Sequence, residues 1–243
     1  MIFEDPEDRL IVPLDVFTLE EAVSLVRMLK DHVGCFKVGM QLLNAVGTPR
    51  VVRALHNLGV DILIDEKFND KPNTVGKVVR AVAKQNVMMM TVHASSGMDA
   101  MIAAAENKLS SIVLGVSVLT SHDEATCQHI FNASVKDKVL QFARDANKAG
   151  LDGVICSPQE LVFLREQNEF ADFLMVTPGI RLSGDDANDQ KRIMTPKEAI
   201  LSGADMIVVG KSITNSLFGT PVNAAKHVVD QIAEGLAERK NAA

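Results

Sequence analysis

The sequence contains no tryptophan and no tyrosine, and only three cysteines (Cys35, Cys127, Cys156) in 243 residues. Without Trp and Tyr the chain lacks the best platforms for stacking nucleic-acid bases. Its balance of 25 Lys+Arg against 31 Asp+Glu, a net charge of −6, gives no general means of neutralising phosphates. Nucleic acid is therefore excluded as a partner. An odd, scattered set of cysteines with no CxxC pair excludes a disulfide framework and a structural zinc site, and fits a reducing compartment. The six histidines (32, 56, 93, 122, 129, 227) form no HxH or HExxH pattern. His122, Cys127 and His129 lie close in sequence, but they read as an exposed helical segment. Apolar runs such as 112–119 are too short to cross a bilayer, so no membrane partner is expected. The opening MIFEDPEDRL is acidic and lacks the basic-then-apolar pattern of a secretory signal. These absences make a cytoplasmic protein the expectation.

What the chain does have is a 47% hydrophobic content, enough for a sizeable core. Short apolar or β-branched runs recur along it: LIVPLD (10–15), CFKVG (35–39), DILIDEK (61–67), VMMMTVHA (87–94), SIVLGVSV (111–118), GVICS (153–157), FLMVTPGI (173–180) and DMIVVGK (205–211). Between them lie helical periodicities at 18–32, 74–85, 136–150 and 196–203, with an extra short helix predicted near 124–133. Eight strand–helix alternations, with no Pro/Gly/Ser-rich linker, predict one α/β domain over 1–243, a (β/α)8 TIM barrel. Its active site would then sit at the C-terminal ends of the strands.

Those ends carry Asp15, Lys37, Asp65 with Lys67, His93, Thr120, Ser157, Gly179 with Arg181, and Gly210 with Lys211. Strand ends are polar wherever they approach water, so Asp15, Ser157 and His93 taken singly say little. Lys37 is different, because it follows Cys35–Phe36 within an apolar strand. The densest segment is DEKFNDKPNT (65–74). Side-chain alternation puts Asp65 and Lys67 on one side and Glu66 on the other, and Pro72 fits the first turn of a helix. A solvated charge run is the plain alternative. Against it, Asp65 directly follows buried Ile62–Ile64, and two carboxylates with two ammonium groups would favour one another's charged forms.

Farther on, TPGIRLSGDDANDQKRIMTP (177–196) and VVGKSITNS (208–216) have the glycines and cations of a phosphate site built from the last two loops. Ser212 is placed to cap the helix after strand eight. Residues 182–190 fit a mobile lid or a plain surface loop equally well.

Together these segments resemble the orotidine 5′-phosphate decarboxylase family. The resemblance runs from Asp15 to Ser216 through LD (14–15), FKVG (36–39), DxKxxD (65–70) followed by PNT, TVHAS (91–95), SVLTS (117–121), TPGIR (177–181) and DQKRIMTP (189–196). It implies a Lys37–Asp65–Lys67–Asp70 array in which Lys67 protonates C6 of the pyrimidine. It implies a homodimer in which Asp70 and Thr74 reach the partner's site. Asp15 and Lys37 would hold ribose hydroxyls, Thr120 would lie near the base, and Arg181, Gln190, Gly210 and Lys211 would surround the 5′-phosphate. The substrate would be orotidine 5′-phosphate and the product UMP, with no cofactor and no metal.

Three positions depart from the family pattern. Lys211 stands where Arg is usual, Lys71 replaces an apolar residue, and Glu66 adds a charge inside the motif. Two other readings compete: a Mg²⁺-dependent sugar-phosphate lyase on the same barrel, and a non-catalytic nucleotide sensor. Intact PGIR and DQKRIMTP segments speak against the first, and the complete Lys–Asp–Lys–Asp set against the second.

Overall fold

In the computed structural model, residues 3–183, 193–215 and 218–242 are described. They contain eight parallel strands: β1 Leu10–Pro13, β2 Cys35–Gly39, β3 Asp61–Phe68, β4 Met89–His93, β5 Ile112–Val116, β6 Gly153–Ile155, β7 Leu174–Thr177 and β8 Met206–Val208. Each pairs with the next, and β8 pairs back onto β1, so the sheet closes into a TIM barrel. Around it run α1 Leu19–Leu29, α2 Met40–Val46, α3 Thr48–His56, α4 Pro72–Ala83, α5 Met98–Asn107, α6 Glu124–Phe131, α7 Val135–Lys148, α8 Leu161–Arg165, α9 Pro196–Leu201, α10 Lys211–Thr214 and α11 Pro221–Ala242. None of the described helices is long and apolar enough to cross a membrane.

Local chemistry explains where the helices begin. Thr18 and Glu21 form a reciprocal capping box on α1, and Thr195 with Glu198 does the same on α9. Each such cap contributes about 1 kcal/mol. Pro72 opens α4 at a position where its missing N–H costs nothing. Asp123 and Ser134 cap α6 and α7, which together fill the long interval between β5 and β6. Most of α6 is exposed, as expected, but Cys127 is fully buried, because it lies on the side that packs onto the core.

Two apolar layers follow from strand alternation. Leu10, Val12, Phe36, Val38, Ile62 and Ile64 face outward and pack under the helices. Ile11, Cys35, Leu63, Met89, Leu114, Val176 and Met206 fill the barrel, with Phe3 packed among them. Along the inward rows the chemistry changes toward the C-terminal ends: Ile11 is followed by Pro13, Cys35 by Lys37, Leu63 by Asp65 and Met89 by Thr91. The fold therefore brings its polar residues together at one mouth, above a dry floor.

Several strands end before the apolar runs that predicted them. β1 stops at Pro13, β6 at Ile155, β7 at Thr177 and β8 at Val208. The Leu14 N–H still bonds the Lys37 carbonyl at 2.8 Å, after which the chain turns away. Asp15, Ser157, Arg181 and Lys211 thus sit just past the ladder, on connecting segments.

Candidate active site

A cavity of about 270 Å³ opens at the C-terminal mouth of the barrel. Of the charged side chains lining it, four are cationic (Lys37, Lys67, Arg181, Lys211) and two anionic (Asp15, Asp65). A chain with a net charge of −6 thus presents a locally positive pocket.

On one side the charges alternate in a chain. Asp15 Oδ1 lies 3.4 Å from Lys37 Nζ, Lys37 Nζ lies 3.5 Å from Asp65 Oδ2, and Lys67 Nζ donates to Asp65 Oδ1 at 2.8 Å. The Asp65 and Lys37 side chains are only 14% and 15% exposed, so these contacts are little screened. Burial alone would raise the pKa of Asp65. The ammonium groups of Lys37 and Lys67, with hydrogen bonds from Lys67 and Thr91, outweigh it and hold the carboxyl below its ordinary range.

Lys67 reaches this position by an unusual backbone. β3 pairs Ile64 with Met90 and next Phe68 with Val92, so β3 uses four residues where β4 uses two. Within that bulge Lys67 adopts φ 50°, a left-handed conformation that costs a non-glycine residue on the order of 1 kcal/mol. Simple alternation identifies the right partner for Asp65 but misses the bulge. Glu66 is half-buried and does not line the cavity; burial raises its pKa.

Across the cavity, Arg181 is buried and donates Nη1 to the Ile180 carbonyl at 2.9 Å. Gly179 before it takes φ 81°, a conformation L side chains rarely adopt. Gly210 packs so closely on Pro13 that a Cβ would stand 3.0 Å from Pro13 Cγ. Lys211 opens α10 beside it. Ser212 does not cap that helix: it lies inside α10, and its hydroxyl accepts the Leu182 N–H at 3.3 Å, tying Leu182 to α10. Between the two charged sides, Leu63, Val116, Val118, Ile155 and Val208 form apolar walls.

The family model for the orotidine 5′-phosphate decarboxylase / HUMPS family matches residues 8–228. The chain belongs to this family. An orotidine 5′-phosphate decarboxylase of Heliobacterium modesticaldum is 41% identical, with 97% of this chain and 100% of the relative covered. One from Actinobacillus succinogenes is 42% identical over 86% of this chain and 92% of the relative. The crystal structure of orotidine 5′-phosphate decarboxylase from Lactobacillus acidophilus superposes with a TM-score of 0.80 at 32% identity, covering 92% of this chain and 98% of that one.

Most of the positions singled out from the sequence converge on the cavity of this decarboxylase-family barrel: Asp15, Lys37, Asp65, Lys67, Thr120, Arg181, Gly210 and Lys211 all line it. Asp70 and Thr74 do not. Both are exposed at the start of α4, and the Asp70 carboxylate accepts the Lys71 N–H at 2.6 Å. Gln190 lies outside the described residues. His93 is half-buried and off the cavity wall; burial, then Lys67 and His122, lower its pKa.

Sequence reasoning passed over Cys156 and Thr91. Cys156 contributes to the cavity wall, and burial pushes its thiol far above the ordinary range, so it acts as an apolar surface. Thr91 hydrogen-bonds both Asp65 and Lys67. A hydroxyl within the apolar run MMMTV, on the inward row of β4, was the available signal.

Proposed function

We propose that this protein is a cofactor-independent orotidine 5′-phosphate decarboxylase, acting in the cytoplasm as one barrel domain over 1–243 and making UMP at the end of de novo pyrimidine synthesis. The observation that carries the reading is the Lys67 ammonium, fixed 2.8 Å from Asp65 at an apolar-walled cavity whose far side holds Arg181 and Lys211. Loss of CO₂ breaks the bond between C6 and the carboxylate carbon, and the electron pair stays on C6. No imine or other electron sink takes it up. Lys67 supplies positive charge where that negative charge grows, then gives its proton to C6; solvent returns a proton to the amine.

Asp65 faces the departing carboxylate and disfavours it in the bound ground state, so leaving as neutral CO₂ relieves the repulsion. Asp15 and Lys37 hold the ribose hydroxyls, and Thr120 lies by the base. Arg181, Lys211 and Gly210, with Gln190, grip the 5′-phosphate. Binding free energy from this phosphate, remote from C6, serves to assemble the array. Asp70 and Thr74 complete the partner's site in a homodimer; their exposure, away from their own cavity, supports that assignment.

Asp65 is flanked by two ammonium groups, Lys37 at 3.5 Å and Lys67 at 2.8 Å, and their positive charge disfavours a divalent cation at that carboxylate, which speaks against a Mg²⁺-dependent sugar-phosphate enzyme. The test is conversion of orotidine 5′-phosphate to UMP in EDTA, followed as loss of orotate absorbance. Turnover is expected at full rate. No turnover at saturating substrate contradicts the reading, and activity only with Mg²⁺ on a keto-sugar phosphate would replace it.

A further inference from the structure

The bulge in β3 removes the backbone acceptor that a regular ladder would give Lys67, yet its N–H is not left unpaired. Thr91, on the neighbouring β4 between Met90 and Val92, turns its hydroxyl into the gap. Thr91 Oγ1 accepts the Lys67 N–H at 2.9 Å and donates its own proton to Asp65 Oδ1 at 3.1 Å. The same Asp65 oxygen receives Lys67 Nζ at 2.8 Å. Backbone, hydroxyl, carboxylate and ammonium form one closed ring. Thr91 is fully buried, and its β-branched side chain is stiff about χ1, so the hydroxyl has little freedom to point elsewhere.

We infer that Thr91 is the positioning residue of the array: it holds Lys67 in its left-handed conformation and turns Asp65 so that Oδ1 serves Lys67 and Oδ2 remains for Lys37. This rests on the function proposed above. It assigns Thr91 no contact with substrate. Its effect is on the geometry of groups that do make contact, and small misplacement of such groups is costly in rate.

Three proteins test this: wild type, Thr91→Val, which keeps the shape and loses the hydroxyl, and Thr91→Ser, which keeps the hydroxyl. Each is assayed for kcat, KM and UMP affinity, with a thermal melt as the folding control. Thr91→Val should lose roughly 10- to 100-fold in kcat. Its KM and UMP affinity should stay within about threefold, because the phosphate and base contacts are untouched. Thr91→Ser should recover kcat to within about threefold of wild type. If Thr91→Val does not fold, Thr91→Ala, which also lacks the hydroxyl and crowds nothing, carries the same expectation.

Wild-type kcat in the hydroxyl-free variant, or a serine variant as impaired as valine, overturns the inference while wild-type turnover leaves the proposed function standing. An inert wild type overturns both.

Discussion

Replacing Asp65 by Asn removes a carboxylate that lies between two ammonium groups, Lys37 and Lys67. At an effective dielectric of about 20, its contacts of 3.5 Å to Lys37 and 2.8 Å to Lys67 are worth about 5 and about 6 kcal/mol of Coulomb attraction. Desolvation of the carboxylate offsets much of this, and breaking such a pair typically costs about 3–5 kcal/mol net, since the other charges stay in place. Lys37 retains the exposed Asp15, so the lower end, about 3 kcal/mol, is the expectation for the free enzyme. Urea denaturation at fixed protein concentration measures it. Because the pKa of Asp65 is depressed in the folded state, its stabilisation is full above the ordinary carboxylate pKa of about 3.9 and is lost only as pH falls through the lower folded value. The difference between wild type and Asp65→Asn should therefore be the same at pH 7 and pH 5. A variant as stable as wild type at pH 7 would refute the mutual pairing, and a difference that disappears by pH 5 would refute the depressed ionisation.

Other substitutions probe separate parts of the account. Glu66 has its pKa raised by burial, so its charge opposes folding at neutral pH, and Glu66→Gln should raise Tm at pH 7 by more than at pH 4, where Glu66 is already largely protonated. Lys211→Arg would offer the phosphate proposed to bind there a bidentate fork in place of a point charge, and should lower KM about fivefold, roughly 1 kcal/mol, with kcat little changed. Gly153→Ala would set a Cβ 2.6 Å from Leu174 Cβ and closer still to the Leu174 carbonyl oxygen, across the β6–β7 pair; urea denaturation should show a loss of about 3 kcal/mol.

Much of the barrel can be read from the chain because strand and helix signals alternate and nothing interrupts them. β2 is bounded as its apolar run predicts, and the helix expected near 124–133 is α6. Where runs overshoot their strands, as at 10–15 and 205–211, the cause is that residues beyond the ladder stay buried at the mouth: Leu14 and Val209 are both fully inaccessible. Composition cannot distinguish burial in a strand from burial just past one. The same limit applies within β3. Alternation puts Asp65 beside Lys67, and they do meet, but the bulge and the left-handed Lys67 have no signature in a segment free of glycine. The Thr91 hydroxyl was hidden for a related reason: its partners come from a neighbouring strand whose register depends on that bulge. Asp70 and Thr74 are exposed and do not line their own cavity, so the role proposed for them, between chains, follows from no periodicity within one.

In the proposed mechanism Lys67 performs the chemistry while other groups hold the nucleotide. Its most direct test is Lys67→Ala, with UMP affinity by calorimetry and orotidine 5′-phosphate turnover measured on the same preparation. Turnover should fall at least about 10³-fold, with UMP still bound through Arg181 and Lys211. Substantial turnover by Lys67→Ala, or a loss of binding as large as the loss of rate, would contradict the account.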